Sequence, residues 1–155
     1  MIEQQLFITE QTKTTSDDYY TPKWIFDTLG LHFDLDVASP PHATHVPCDR
    51  YYTQADDGLA QDWYGRVFMN PPFSKPTPWI HKWLDHGNGI AIVPISQGAW
   101  FHYLWQHEAK VVLPQGRIKF ISNVENKGGL IREVCFIAGL GNDNIAALHN
   151  FGRVR

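Results

Sequence analysis

The stretch RVFMNPPF, residues 66–73, is a short apolar run that stops abruptly at an asparagine and two prolines. Proline cannot donate a backbone hydrogen bond and is excluded from the interior of a central strand. We therefore expect a strand that ends at Met69 and a rigid loop over residues 70–73. The loop would lie at the carboxyl end of that strand.

Outward from this loop, helix and strand patterns alternate along the chain. Thr21 is suited to cap a helix whose first position is Pro22 and which ends at Gly30. Residues 32–38 alternate apolar and polar, which predicts a strand with its apolar side chains on one face; these are Phe33, Leu35 and Val37. Further helices are predicted over 77–86 and 97–107, and further strands over 89–94, 110–113, 117–121 and 131–139. Alternating strands and helices predict an α/β fold with a largely parallel sheet.

Composition is that of an ordinary globular protein, with 43% hydrophobic and 19% charged residues in 155. The length predicts one domain, residues 17–155, after a flexible N-terminal tail, residues 1–16. No apolar run reaches the roughly 18 to 20 residues that span a bilayer, and the polar N-terminus does not resemble a signal peptide. We expect a cytoplasmic protein without a membrane partner.

Charge is unevenly distributed around a net value of −3. Residues 1–109 carry 6 basic and 13 acidic side chains, whereas residues 110–155 carry 7 basic and 3 acidic ones. The negative net charge of the whole chain disfavours binding to nucleic acid, but the basic C-terminal part is typical of a phosphate-contacting face.

The loop Asn70-Pro71-Pro72-Phe73 has the groups needed to activate a planar amine. An amine conjugated with an aromatic ring is a poor nucleophile unless acceptors engage its hydrogens. The Asn70 side-chain oxygen and the Pro71 carbonyl are two such acceptors, held by consecutive prolines, and Phe73 offers a face for stacking on a base swung out of a duplex. A plain Pro-Pro turn is the alternative interpretation.

Five elements in the same order resemble the phage-type DNA N6-adenine methyltransferase family, the compact relatives of the Dam enzymes. They are Tyr20-Thr21-Pro22, Asp34-Leu35-Asp36-Val37-Ala38, Asp57-Gly58-Leu59 with Trp63, Asn70-Pro71-Pro72-Phe73-Ser74 with Trp79, and Gly116-Arg117-Ile118-Lys119-Phe120. The resemblance covers most of residues 17–137. It implies a compact Rossmann-like methyltransferase fold with an antiparallel C-terminal strand, S-adenosylmethionine as methyl donor and adenine in double-stranded DNA as acceptor, in a bacterial or phage-infected cell.

The same resemblance implies a set of donor-binding residues. Asp36 and Ala38, at the end of the first strand, would lie beside the methionine part of the donor, and Asp57 beside its adenine. Two further groups complete the set: Thr21 with Pro22 near the amino-acid end, and Asn70.

Two positions depart from the family pattern. Ser39-Pro40-Pro41-His42-Ala43 stands where a Gly-x-Gly loop normally lets the backbone approach the donor. Phe73 replaces the commoner tyrosine and keeps the stacking face. The spacing from Asp36 to Asn70 is also short, which predicts an abbreviated β-α unit.

Basic residues near the loop are candidates for contact with DNA phosphates. Lys75 follows the loop directly, and Arg117 and Lys119 alternate with apolar residues, so that both belong to one strand face. A solvated strand face is the alternative. The eight histidines show no metal-ligand spacing, and no metal site is predicted. Residues 122–130 are the candidate specificity loop, and a homodimer would enlarge the DNA footprint.

Three functions remain open. The first is methyl transfer to adenine in DNA. The second has the same donor chemistry with RNA adenine or a protein glutamine amide as acceptor, because the loop suits any planar amine or amide. The third is a degraded methyltransferase-like protein retained for nucleic-acid binding, which the missing glycine loop favours.

Overall fold

The computed structural model describes residues 19–41, 45–95, 99–115, 118–122, 131–133 and 135–155. The predicted tail and most of the predicted specificity loop lie outside these ranges. The four helices of the described residues are α1 Lys23–Leu29, α2 Thr77–His86, α3 Ala99–Gln106 and α4 Asn142–Leu148. The strands are β1 Tyr19–Tyr20, β2 Phe33–Asp36, β3 Cys48–Tyr51, β4 Val67–Met69, β5 Gly89–Pro94, β6 Lys110–Val112, β7 Ile118–Ser122, β8 Ile131–Glu133 and β9 Cys135–Leu140.

Six strands form the main sheet, in the order β3-β2-β4-β5-β9-β6. β3, β2, β4 and β5 are parallel to one another, whereas β9 is antiparallel to both of its neighbours, β5 and β6. The predicted α/β fold is confirmed at this level, as a mostly parallel sheet whose last strand is antiparallel.

Helices cover both faces of this sheet, which explains why its central strand is apolar throughout. In β5, Ile90 and Ile92 pack into one buried cluster, and Ala91 and Val93 pack into another. The first cluster contains side chains of α1 and α4, and the second contains side chains of α2 and α3. A strand buried on both faces needs apolar residues at every position, as residues 89–94 have.

Helix α2 begins and ends at the predicted residues. Pro78 lies in its first turn, where a missing amide proton costs nothing, and Gly87 ends it in the left-handed conformation at φ 76°. Ile80, Trp83 and Leu84 are buried at the i, i+3 and i+4 spacing of one helix face. The helix packs on the sheet beside β4 and β5 and so supports the loop that follows β4.

Two local predictions are wrong. Thr21 does not cap α1, because Pro22 occupies the N-cap position, although Gly30 ends the helix in the left-handed conformation as expected. Phe33 does not share a face with Leu35 and Val37; it packs in the cluster of α1, and they pack in the cluster of α2. Consecutive amides, those of Asp34 and Leu35, both donate to the Arg66 carbonyl, an irregularity of the bulge type that interrupts the alternation.

The abbreviated unit between Asp36 and Asn70 is confirmed within the described residues. Between β2 and β4 lie only β3 and two single-turn 3₁₀ helices, Gln54–Asp56 and Gly58–Ala60. The predicted last strand is divided in two: β9 joins the main sheet, whereas β8 joins a small antiparallel sheet in the order β1-β7-β8. No helix among the described residues has the length and apolar character to cross a bilayer.

Candidate active site

Parallel strands bring Asp36 and Asn70 to the same edge of the main sheet. Asp36 is the last residue of β2, and Asn70 follows β4 directly. The two strands are neighbours, with Asp36 opposite Phe68 in the register. The carboxyl ends of parallel strands are the usual position of a binding site in open α/β sheets.

The side chain of Asn70 is held by a residue far away in sequence. Its amide nitrogen Nδ2 donates a hydrogen bond of 3.0 Å to Oγ1 of Thr21. Thr21 is 3% exposed, and Asn70 is half-buried. Within the described residues, no hydrogen bond reaches the amide oxygen of Asn70. The side chain therefore keeps an acceptor available while its nitrogen end is engaged.

The rest of the loop is rigid and partly packed. Pro71 is buried, and the Pro72 carbonyl accepts a 3.2 Å bond from the amide of Lys75, which closes a turn. Phe73 is half-buried and packs against the hydrophobic cluster of α1. No described backbone amide donates to the Pro71 carbonyl. Two acceptors, the Asn70 amide oxygen and this carbonyl, are thus adjacent in one fixed turn.

Asp36 is a buried carboxylate, 1% exposed, at the end of β2. Its Oδ1 accepts a 3.2 Å hydrogen bond from the backbone amide of Ala38. Ala38 is also one of the predicted donor-binding residues. Burial, with a contribution from the Asp36 charge, raises the pKa of the Cys48 thiol to about 11. Cys48 and Cys135 are both reduced.

The segment Asp57-Gly58 lies against the end of β2. A Cβ on Gly58 would be 2.1 Å from the Val37 carbonyl oxygen, so only glycine fits. Asp57 adopts a left-handed conformation, φ 54°, and is exposed, with no hydrogen bond to its carboxylate among the described residues. Asp56 is also exposed, but its carboxylate accepts from the backbone amide and hydroxyl of Thr53 in a capping box. Asp57 is therefore the acidic residue of this segment that stays available.

A lysine on helix α2 holds this segment in place. Lys82 Nζ donates to the carbonyls of Leu59 and Gln61 and lies 5.0 Å from the centroid of the Trp63 ring. Trp63 donates from its indole nitrogen to the Gly58 carbonyl at 2.8 Å and stacks on Trp79. Lys82 was not among the predicted site residues. The one sequence signal for it was its spacing of three residues from Trp79 on a predicted helix.

We expect Gly58→Ala to lower the free energy of unfolding by about 1 to 3 kcal/mol, because the new methyl group overlaps a backbone carbonyl that cannot easily move. Urea unfolding measures the change. Gly30→Ala is the matched control, since Gly30 has a positive φ of 64° but nothing within 4 Å of its added Cβ. A smaller loss for Gly58→Ala than for Gly30→Ala would contradict the close approach to β2.

The predicted DNA-contacting residues are only partly described. Lys75 is exposed, two residues after Phe73. Lys119 lies in β7, opposite Arg132 of β8, and Arg117 lies outside the described residues. β7 pairs with β1, which leads directly into Thr21. The residue that contacts Asn70 therefore follows the last residue of β1 directly in sequence.

No group of three or more potential metal ligands is found in the described ranges. Hydrogen bonds join Asn70 to Thr21 and Ala38 to Asp36, and Asp36 and Asn70 lie at the carboxyl ends of the neighbouring strands β2 and β4. Gly58, the residue after Asp57, lies against the Val37 carbonyl just beyond β2.

Comparison with known proteins gives one family. The family model described as DNA N-6-adenine-methyltransferase (Dam) matches residues 9–138, a span that contains every described candidate residue. No curated protein and no solved structure matches significantly. The mostly parallel six-stranded sheet is consistent with a methyltransferase-like fold. Because the match covers most of the chain and confirms the resemblance of the five sequence elements, the protein belongs to the DNA N-6-adenine-methyltransferase (Dam) family.

Proposed function

We propose that this protein transfers a methyl group from S-adenosylmethionine to the N6 amine of adenine in double-stranded DNA, on a compact Rossmann-like fold. The observation that carries the proposal is the Asn70 side chain. Its nitrogen is bound by Thr21 and its oxygen is unengaged among the described residues, next to the Pro71 carbonyl. The family to which the chain belongs supports adenine as the acceptor.

The two acceptors suit the chemistry of an aromatic amine. The lone pair of adenine N6 is delocalised into the purine, so the nitrogen must become more tetrahedral before it attacks the methyl group. The N–C bond forms as the S–CH3 bond breaks, S-adenosylhomocysteine leaves, and the surplus N6 proton is lost to solvent. Hydrogen bonds from its two N–H groups to Oδ1 of Asn70 and the carbonyl of Pro71 favour that geometry. The prolines keep these acceptors in place, so little ordering is left for the moment of reaction.

The residues at the sheet edge fit a cationic methyl donor. S-adenosylmethionine supplies an electrophilic methyl group on a positively charged sulfur, and it also carries an ammonium group and ribose hydroxyls. Asp36 is a buried carboxylate at this edge, and Asp57 is an exposed carboxylate without a partner among the described residues. Negative groups and acceptors of this kind favour a cationic, hydroxyl-bearing molecule over an anion. We assign donor binding to Asp36, Ala38, Asp57, Asn70, Thr21 and Pro22.

The segment after β2 is the part that fits least. The Ser39 amide donates to the Tyr52 carbonyl at 2.8 Å, and Ser39 is 6% exposed. This amide is therefore engaged within the protein, where a glycine loop would leave the backbone open to the donor. This observation favours the degraded candidate, a family member that binds nucleic acid but has lost its site for the methyl donor.

Duplex DNA would present its adenine to the loop by base extrusion. A base inside a duplex cannot present N6 to the loop, so adenine must swing out, and the ring of Phe73 at the end of the loop provides a stacking face. Lys75, Arg117 and Lys119 are assigned to phosphate contacts. A homodimer would add a second set of these contacts.

The proposal is tested in two steps on purified protein. Calorimetry with S-adenosylhomocysteine should show binding in the micromolar range; an absence of binding favours the degraded, non-catalytic candidate. Transfer of a labelled methyl group is then measured with duplex DNA, RNA and a glutamine-containing peptide in competition. Label is expected in DNA, whereas label in RNA or peptide would assign the acceptor differently.

Lys75→Ala should weaken DNA binding without a change in kcat, since Lys75 is exposed and follows the loop. Loss of one phosphate contact should reduce the slope of log K against log salt by about 1. Fluorescence anisotropy at several salt concentrations measures this slope. Lys110→Ala is the control, because Lys110 is an exposed lysine at the start of β6, in register with Gly139 of β9, which pairs with Ile90 near the start of β5. Equal slopes for Lys75→Ala and wild type would remove Lys75 from the interface.

A further inference from the structure

A hydrogen bond joins Thr21, which lies between β1 and α1, to Asn70 in the proposed catalytic loop. Asn70 Nδ2 donates to Thr21 Oγ1 at 3.0 Å across 49 residues of sequence. We infer that Thr21 is a positioning residue for methyl transfer: its hydroxyl holds the nitrogen end of the Asn70 amide, so that the oxygen end is presented to the amine of the acceptor. The inference rests on the proposed function.

An asparagine side chain needs such a partner to act as a defined acceptor. Its amide has one end that only accepts hydrogen bonds and one end that only donates them. The donor end would oppose the N–H groups of an amine, so a free rotation of the amide would present the wrong end for part of the time. The Thr21 hydroxyl engages that donor end. Its own O–H proton is left over for a second partner, so the assigned contact with the methyl donor is compatible with this role.

Thr21 is itself fixed on both sides. Before it, Tyr19 and Tyr20 of β1 pair with Ser122 and Ile121 of β7. After it, Pro22 is buried and forms the N-cap of helix α1, whose apolar residues pack in the core. The 3% exposure of Thr21 leaves its hydroxyl little freedom to turn to water. A hydroxyl in this setting acts as a rigid support for Asn70.

The arrangement also connects two parts of the proposed site. β7 carries Lys119, which is assigned to DNA contact, and pairs with β1. The next residue after β1 is Thr21, which contacts Asn70. A displacement of the small sheet would therefore move Thr21, and with it the side-chain amide of Asn70.

Kinetics of Thr21→Val test the inference, because valine is nearly isosteric and lacks the hydroxyl. We expect kcat for DNA methylation to fall about 10- to 100-fold through misplacement of Asn70. The affinity for S-adenosylhomocysteine should fall by a smaller factor than kcat, because Thr21 is one of six residues assigned to the donor, and Thr21→Ser should restore kcat. Thr28→Val is the matched control, because the Thr28 hydroxyl donates to the Trp24 carbonyl within α1. A wild-type kcat in Thr21→Val, or a loss confined to donor affinity, would overturn the positioning role.

Nuclear magnetic resonance provides a readout that does not depend on activity. The side-chain NH₂ signals of Asn70 should shift and exchange faster in Thr21→Val, and return in Thr21→Ser. Unchanged Asn70 signals in Thr21→Val would overturn the inference whatever the activity. A wild-type protein that methylates no DNA, with the Asn70 signals still sensitive to Thr21, would overturn the proposed function instead.

Discussion

Asn70→Ala should lower kcat for DNA methylation by about 10³-fold, because it removes one of the two acceptors that activate the amine. The loss should appear in kcat, since the bond to a developing ammonium group is stronger in the transition state than in the ground state. The affinity for S-adenosylhomocysteine should fall by a much smaller factor, because five other residues are assigned to the donor. Single-turnover transfer of a labelled methyl group measures the effect on chemistry.

The fold should survive this substitution. Asn70 is half-buried and makes one hydrogen bond among the described residues, so its loss should cost only about 1 kcal/mol of unfolding free energy. Asn150→Ala is the control, since Asn150 also makes one side-chain bond, to the Thr28 carbonyl, at an exposed position. Asn70→Ala with the activity of Asn150→Ala would exclude Asn70 from the chemistry.

Asp36→Asn should weaken the binding of S-adenosylhomocysteine by about 10- to 100-fold. The substitution keeps the size of the side chain and removes the charge, and hydrogen bonds to a charged group are worth about 1.5 to 3 kcal/mol. Calorimetry gives the dissociation constant. The effect is expected in donor binding, because Asp36 is 1% exposed at the sheet edge and lies outside the amine-activating loop.

The effect of Asp36→Asn on the charge at this site can also be measured without a ligand, through the pKa of Cys48. Asp36 raises the pKa of Cys48, so its neutralisation should lower that pKa from about 11, while burial, the larger cause, keeps it above the ordinary value. The pH dependence of Cys48 alkylation measures the change. Asp34→Asn is the matched control on the same strand, because Asp34 accepts from the Arg66 amide. Equal donor affinities in the two variants would exclude Asp36 from the donor site.

Elements with strong local patterns were predicted at their observed bounds. Helix α2 has apolar residues at helical spacing, a first-turn proline and a terminal glycine, and β5 is a continuous apolar run. Each pattern depends on residues close in sequence, so it survives without knowledge of the fold.

Elements that depend on distant residues were not predicted. β3 has a polar sequence, Cys48-Asp49-Arg50-Tyr51, because it is an edge strand with mostly exposed side chains. Its strand conformation comes from pairing with β2, which no periodicity reveals. The face on which Phe33 lies was wrong for a similar reason, since the irregularity beside it arises from a carbonyl of Arg66.

In the candidate site, too, the features set by local sequence could be predicted and the contacts between distant residues could not. The loop over residues 70–73 and Asp36 could be identified from local sequence and family resemblance. The roles that other residues play around them could not. Thr21 was predicted as a helix cap, whereas its hydroxyl accepts from Asn70, and Lys82 was absent from the prediction although it holds the segment after Gly58. Both contacts join residues more than 20 positions apart.

The most direct test of the central claim is the identity of the methylated nucleoside. Duplex DNA that lacks modified bases is incubated with the purified wild-type protein and S-adenosylmethionine, digested to nucleosides and analysed by mass spectrometry. The account predicts N6-methyldeoxyadenosine, and none of it after treatment with Asn70→Ala. Methylation of cytosine, or DNA without any methylated nucleoside despite donor binding, would contradict it.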